Sequence, residues 1–324
     1  LITPHEDDRR WMLAAITLAG RSRGRTAPNP NVGCIIVRDG RVIGRGVTQT
    51  SGRPHAEAQA LAMAGNVEGA TAYVTLEPCA HVSSRGPACA DLLVAAAPAR
   101  VVVALTDPDP RTNGRGIALL QAAGIAVTTG VASEEAGRSM AGFLTRQTSN
   151  RPHVTLKLAT SLDGCIALAD GSSRWITGAA ARAHCHVERS RHEAILVGRG
   201  TFDADAPRLD VRLPGLADRS PRRLLLTHGT APEGWTAIAR PEAIAELDGV
   251  DHLFVEGGAA TAAAFLRADL VDRLLLYTAP ILIGGGRPAI ADIGLGDLAS
   301  AHGRWCMTDT RMLGSDRLTI YERC

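Results

Sequence analysis

The chain has 324 residues, which suggests two domains, and its apolar share of 45% is that of an ordinary globular protein. A net charge of +2 gives no global basic field for long nucleic acid, and three Tyr, four Phe and four Trp are few for base-stacking platforms. No apolar run approaches membrane length, so neither nucleic acid nor a membrane is expected as a partner. The seven cysteines are odd in number and lack the spacing of a disulfide framework. That implies a reducing, cytoplasmic compartment, with two of them set aside for metal and the rest packed or exposed. The stretch Leu1 to Asp8 carries acids and no apolar core, so it is not read as a secretory signal.

Asp7 to Ala19 has Trp11, Met12, Ala15, Ile16 and Ala19 at helical spacing. Pro28-Asn29-Pro30-Asn31 breaks regular structure, and Val32 to Val37 reads as a strand. Asp39-Gly40 turns the chain into a second strand, Arg41 to Gly46. A loop from Thr48 to Pro54 leads to a helix over His55 to Ala64. A strand follows over Ala70 to Leu76, a helix after Cys89, and a strand over Arg100 to Leu105. Gly116 to Ala123 and Ser133 to Thr145 read as helices, with a strand over Ile125 to Thr128 between them. This alternation predicts an α/β sandwich around one sheet.

Within this half, His55-Ala56-Glu57, Pro78-Cys79 and Cys89 form a zinc constellation. A catalytic zinc takes three N or S ligands and keeps one position for water, and His55, Cys79 and Cys89 supply those three. Glu57 is left over beside them, as a general acid/base would be. The order H-x-E, then P-C, then Cys is that of the zinc deaminases, except that nine residues, Ala80 to Ala88, separate the cysteines. A surface His, a capping Glu and two ordinary buried thiols would also produce these letters. Residues at i and i+2 do not share a helix face, so His55 and Glu57 converge only if the helix starts there, as Pro54 suggests.

Gln147 to Pro152 is polar, ends in proline and reads as the linker between domains 1–146 and 147–324. Beyond it, His153 to Ala159, Ala194 to Val197, Arg223 to Leu226, His252 to Val255, Arg273 to Leu282 and Asp316 to Tyr321 read as strands. Several are continuous apolar runs, which suits central strands of a covered sheet. Ala179 to Ser190 reads as a helix. Phe254-Val255-Glu256-Gly257-Gly258 passes from strand through a glycine turn to a helix, a form that lets backbone N–H groups approach phosphate. It is not G-x-G-x-x-G, so a Rossmann fold is not indicated. Lys157 in an apolar strand is either paired with an acid, for which Asp163 is a candidate, or lines a site. Glu256 ends an apolar run, where a purely structural role is hard to find.

Several segments together resemble the bifunctional deaminase-reductase family of riboflavin biosynthesis. They are Pro28 to Cys34, His55-Ala56-Glu57, Thr75 to His81 with the distant Cys89, Lys157 to Gly164, Trp175-Ile176-Thr177, Asp205 to Leu209 and Glu256-Gly257-Gly258. In that family the second cysteine lies far from the first. The chain departs from it by about one extra residue over Val82 to Ala88 and by Val47-Thr48. The resemblance implies a cytidine-deaminase-like α/β/α sandwich followed by a dihydrofolate-reductase-like α/β domain that uses NADPH. It implies substrate contacts at Asn29 and His81, with Arg85 toward the phosphate, and in the second half at Lys157, Ser173, Arg189, Leu209, Arg212 and Glu256. It implies NADPH contacts at Ala159, Trp175, Thr201 and Asp205, and along Gly258, Ala259, Ala260, Thr261, Ala262, Ala263 and Ala264. Thr227, Arg222 and Arg223 are candidates by position for the NADPH 2′-phosphate.

The resemblance implies deamination of a phosphorylated pyrimidine at the zinc site, followed by NADPH-dependent reduction of its ribosyl group, in a homo-oligomer. Arg189 and Arg212 suit a phosphate because guanidinium binds it bidentately. Three other readings stay open. A nucleic-acid deaminase with an accessory domain has charge and aromatic content against it. A deaminase whose second half only oligomerises would fail to bind NADPH. A zinc-stabilised interaction module would leave Glu57 without a role.

Overall fold

A computed structural model describes residues 4–81 and 83–324; Leu1 to Thr3 and Val82, which figured in the readings of the N-terminus and of the loop before Cys89, lie outside it. The chain divides into two units, Leu1–Ser149 and Asn150–Cys324.

The first unit runs α1 (Pro4–Ala19), β1 (Gly33–Arg38), β2 (Arg41–Val47), α2 (Ala56–Ala64), β3 (Thr71–Val74), α3 (Cys89–Ala96), β4 (Arg100–Val103), α4 (Arg115–Ala122), β5 (Ala126–Thr129), α5 (Ser133–Ser139) and α6 (Ala141–Ser149). Among the described residues, five strands form one sheet in the order β2-β1-β3-β4-β5. β1 is antiparallel to β2 and β3, and β3, β4 and β5 are parallel. The period of two in a strand sorts the layers. Cys34 and Ile36 pack with Ala56, Ala60, Leu93 and Leu120 on one side. Ile35 and Val37 pack with Met12, Ala15 and Ala136 on the other.

Gly44 and Gly46 set the height of α2 on the sheet. A Cβ on either would stand 2.2 and 2.1 Å from the carbonyl oxygens of Ala60 and Ala56. The single helix expected over Ser133 to Thr145 breaks at Met140 (φ −113°, ψ 26°). The break lets Ala136 join one layer while Met140 and Phe143 join the other. The polar stretch read as a linker is still helical through Ser149.

The second unit runs β6 (His153–Thr160), β7 (Cys165–Ala167), α7 (Ala179–Arg189), β8 (Ala194–Gly198), α8 (Arg199–Asp205), β9 (Arg222–Leu226), β10 (Thr236–Ile238), β11 (His252–Val255), α9 (Ala259–Arg267), β12 (Val271–Thr278), β13 (Arg287–Pro288), β14 (Trp305–Leu313) and β15 (Asp316–Arg323). Eight strands among the described residues make a sheet in the order β10-β9-β8-β11-β6-β12-β15-β14. The strands from β10 to β12 are parallel, and β15 and β14 close the edge antiparallel. One face buries Leu156, Leu253 and Val255 under Ala262 and Phe265 of α9. The other buries Ile195, Phe254 and Tyr277 under Ala181 and Cys185 of α7.

β12 stops at Thr278, short of the expected Leu282, because Pro280 has no N–H to continue a ladder. The cysteine expectation also needs correction, since Cys306 of β14 and Cys324 are joined in a disulfide, with Cα atoms 5.3 Å apart. No helix among the described residues is long and apolar enough to cross a membrane.

Candidate active sites

His55 is the N-cap of α2 and is extended (φ −72°, ψ 165°), while Glu57 lies in the first helical turn. The change of backbone conformation between them brings both side chains to one place, which a continuous helix would not do. Cys79 follows β3 on the segment Thr75 to Pro78, and Cys89 opens α3. His55 Nδ1 lies 3.6 Å from Cys79 Sγ and 3.3 Å from Cys89 Sγ, and the three donor atoms lie within 4.8 Å of one another. The Cys89 backbone N–H donates to Cys79 Sγ at 3.3 Å. The Cys89 thiol holds Cys79 well below the ordinary thiol range, and the Cys79 thiolate in turn pushes Cys89 up. One imidazole nitrogen and two thiols at this spacing suit zinc. Glu57 is buried beside them, and burial raises its carboxyl despite the opposing effect of His55.

Glu77 supplies a scaffold that the sequence reading did not assign. Its buried carboxylate accepts from the backbone N–H groups of Asp107 at 3.2 Å, Gly114 at 2.9 Å and Ile117 at 3.2 Å. This ties the start of α4 to the segment carrying Cys79. Gly116 permits the contact, because a Cβ there would stand 2.1 Å from the Pro78 carbonyl oxygen. The signal was present in Leu76-Glu77-Pro78-Cys79, but the partners of Glu77 lie about thirty to forty residues away.

The expected substrate residues of this unit gather nearby. Asn29 Nδ2 lies 3.4 Å from His55 Nε2, and His81 Nδ1 lies 3.5 Å from Thr112 Oγ1. Arg85 donates to the Ser51 carbonyl at 2.5 Å, and Arg53 to the Pro87 carbonyl at 3.1 Å, so two arginines lace the loops around the site.

In the second unit a cavity of about 1300 Å³ opens at the carboxyl ends of β6, β8 and β11, large enough for a dinucleotide beside a second molecule. It is lined by Lys157, Ala159, Ser173, Trp175, Arg189, Thr201, Asp205, Leu209, Arg212, Glu256 and Gly258 to Thr261, and also by Arg174, Arg182, His186, Arg199 and Tyr277, which the sequence reading did not name. Ala262 and Ala263 are buried in the core instead, because only the first turn of α9 meets the cavity. Arg222 reaches the Asp248 carbonyl and Arg223 stacks over Trp235.

Arg189 grips Glu256 with Nε to Oε1 at 2.6 Å and Nη2 to Oε2 at 2.9 Å, and Lys157 Nζ stands 3.9 Å from Oε2. Burial pushes the Glu256 carboxyl up, but Arg189 and Lys157 outweigh it and hold it at about 2. The acid beside Lys157 is therefore Glu256 and not Asp163. Asp163 accepts from Ser161 Oγ and from the N–H groups of Ile283 and Gly284, anchoring the glycine loop. Trp175 is 70% exposed over the cavity, under the guanidinium of Arg182 at 4.7 Å, so it is not a core residue. Thr201 Oγ1 accepts from the Gly258 N–H at 3.1 Å, which fixes the glycine turn. Arg212 pairs with Asp210 at 2.7 Å.

Residues 5–105 match the family model of the cytidine and deoxycytidylate deaminase zinc-binding region, and residues 152–312 that of the RibD C-terminal domain. The chain is 39% identical to the riboflavin biosynthesis protein RibD of Escherichia coli, over 95% of this chain and 97% of that protein. It is 39% identical to the protein of the same name from Mycobacterium tuberculosis, over 95% of each. Among solved structures, Acinetobacter baumannii RibD aligns at a TM-score of 0.85 with 36% identity, over 99% of both chains. A diaminohydroxyphosphoribosylaminopyrimidine deaminase/5-amino-6-(5-phosphoribosylamino)uracil reductase from Thermotoga maritima aligns at 0.89 with 31% identity, over 99% of this chain and 100% of that one. The first unit has the cytidine-deaminase-like fold and the second the dihydrofolate-reductase-like fold that the sequence led us to expect. Matched over nearly its whole length by these relatives and by models of both domains, the chain belongs to the RibD family of riboflavin biosynthesis proteins.

Proposed function

We propose a role for each site in the two activities of this bifunctional deaminase and reductase of riboflavin biosynthesis. In the first unit, His55 Nδ1, Cys79 and Cys89 hold the zinc, and Glu57 is the acid/base. When bound, zinc supplies Lewis-acid activation of water. Glu57, buried two residues from His55, carries two protons in turn: one from the attacking water to the ring nitrogen, and then one from the new hydroxyl to the leaving amine, which departs as ammonia. The substrate is 2,5-diamino-6-ribosylamino-4(3H)-pyrimidinone 5′-phosphate. Asn29 and His81 stand at the pyrimidine end, and Arg85 and Arg53 edge the site where a phosphate would meet cations.

In the second unit, NADPH supplies a hydride for reduction of the ribosyl group to ribityl. The protein's part there is positioning. Thr201 and the Gly257-Gly258 turn present backbone N–H groups of α9 to phosphate, Trp175 and Asp205 border the cofactor, and Ser173, Leu209 and Arg212 border the substrate. Lys157 of β6, Arg189 of α7 and Glu256 just after β11 form one charged cluster, facing the ribosyl group.

The observation that carries the reading is the convergence of His55 Nδ1 and two thiols beside a buried Glu57, in a chain matched along both domains. A nucleic-acid deaminase or a silent second half is disfavoured by that end-to-end match. We further read the protein as a cytoplasmic homo-oligomer. NADPH dependence supports the compartment, and the exposed Met307 and Met312 on edge strand β14 support self-association. The test of the site assignment is ammonia release from the diaminopyrimidine by zinc-loaded protein. It is expected in the wild type and lost in Glu57→Gln; equal turnover in the variant would overturn the role of Glu57.

A further inference from the structure

Three ligands do not by themselves determine which imidazole nitrogen faces a metal; the group on the far nitrogen does. His55 turns Nδ1 toward both thiols, at 3.6 and 3.3 Å. A neutral ring that ligates through Nδ1 carries its hydrogen on Nε2, and that N–H needs an acceptor. The group beside Nε2 is the Asn29 amide, 3.4 Å away. The oxygen and nitrogen of a side-chain amide exchange places by a half-turn, and the surrounding network decides between them. An Nε2–H donor selects the oxygen.

A second observation fixes the amide there. Gly52 is buried with φ +87°, and a Cβ on it would stand 2.2 Å from the amide atom of Asn29 that faces away from His55 (Oδ1, or Nδ2 after the half-turn) and 2.4 Å from the amide carbon. The turn that carries Gly52 is itself tied down, by its N–H to the Gln49 carbonyl at 2.9 Å and by Arg85 on the Ser51 carbonyl. Asn29 is anchored through its own N–H to the Thr26 carbonyl at 2.9 Å. The amide thus spans the gap from Gly52 to His55, filling the space that the missing side chain leaves.

We propose that Asn29 is a positioning residue for His55. Its amide oxygen accepts the Nε2–H and fixes the tautomer that presents Nδ1 to the metal, with Gly52 keeping the amide in place. The inference rests on the zinc reading above. It gives Asn29 a role beyond the substrate contact that the family resemblance implies, because loss of the amide appears as loss of metal.

The test is zinc affinity by chelator competition on the full-length protein, compared across wild type, Asn29→Ala and Asn29→Asp. Asn29→Ala is expected to weaken zinc binding by roughly 10- to 100-fold, as loss of a ligand's outer partner does. Asn29→Asp keeps an acceptor for Nε2–H and is expected to hold zinc close to the wild-type level, although the amide donor is gone. Wild-type zinc affinity in both variants, with only a raised KM for deamination, would mean that Asn29 acts on substrate, and would overturn the proposal. Equal zinc loss in both would mean that the amide N–H₂ donor, which the isosteric Asp lacks, and not the acceptor oxygen is what the site needs, and would also overturn it. If wild-type protein fails to take up one zinc per chain, the zinc reading itself is what fails.

Discussion

Arg189 holds both carboxylate oxygens of Glu256, at 2.6 and 2.9 Å, where β11 ends and the Gly257-Gly258 turn begins. Both side chains are largely buried, so each is the other's main compensation for lost water. Removing one partner leaves a buried charge alone. Glu256→Gln is expected to cost the second unit roughly 3 kcal/mol, the usual size for breaking a buried pair, measured by urea unfolding.

The same pair sets a pH dependence. The Glu256 carboxyl is held at about 2, below its ordinary 4.5. A depressed acid contributes stability that is complete above the unfolded value and disappears as pH falls through the folded one. The stability difference between wild type and Glu256→Gln should therefore be full above about pH 4.5 and shrink toward pH 2. A difference that stays constant across that window would show that the carboxylate's charge is not what Arg189 stabilises.

Glu57→Gln keeps the shape of the first site and removes the carboxylate proposed as its acid/base. Ammonia release should fall by about 10²- to 10⁴-fold, the range of general acid/base catalysis. Zinc content by metal analysis and NADPH oxidation with pre-deaminated substrate should stay at wild-type levels. Loss of zinc in this variant would place Glu57 in the ligand set instead.

Gly116 lets α4 rest on the segment that carries Cys79. Gly116→Ala places a Cβ 2.1 Å from the Pro78 carbonyl oxygen, against backbone that has no side chain to move. The expected cost is about 1–3 kcal/mol of stability, as for other overpacking changes, together with weaker zinc retention. Unchanged chelator competition would show that Cys79 is positioned without α4.

Gly257→Ala probes the other unit. Its Cβ would stand 2.3 Å from Thr261 Cβ in the first turn of α9. NADPH binding, followed by fluorescence, should weaken on the order of tenfold, equivalent to about 1.4 kcal/mol, while deamination is unaffected. Equal effects on both activities would argue for general unfolding of the chain.

Much of this was legible in the sequence because it was local. The apolar run Val32 to Val37 announces a strand buried on both faces, and His55-Ala56-Glu57 after a proline announces a helix start. What the sequence hid depends on distant partners. Glu77 looks like any acid until its backbone partners from Asp107 to Ile117 are brought to it. Lys157 has Asp163 six residues away in sequence, yet meets Glu256 across the paired strands β6 and β11. β14 escaped notice because it is a largely exposed edge strand, and its residues carry no burial pattern. The break at Met140 was hidden because no proline marks it, and only the different layers of the two halves separate them.

The central claim, two activities in one chain with zinc serving only the first, is tested most directly by a linked assay. Purified zinc-replete protein is given the diaminopyrimidine ribosyl phosphate, and ammonia release and NADPH oxidation are followed together, with and without a zinc chelator. The account predicts that both proceed, that both stop on chelation, and that pre-deaminated substrate still consumes NADPH in the presence of chelator. Ammonia release that survives full zinc removal, or pre-deaminated substrate that consumes no NADPH, would contradict it.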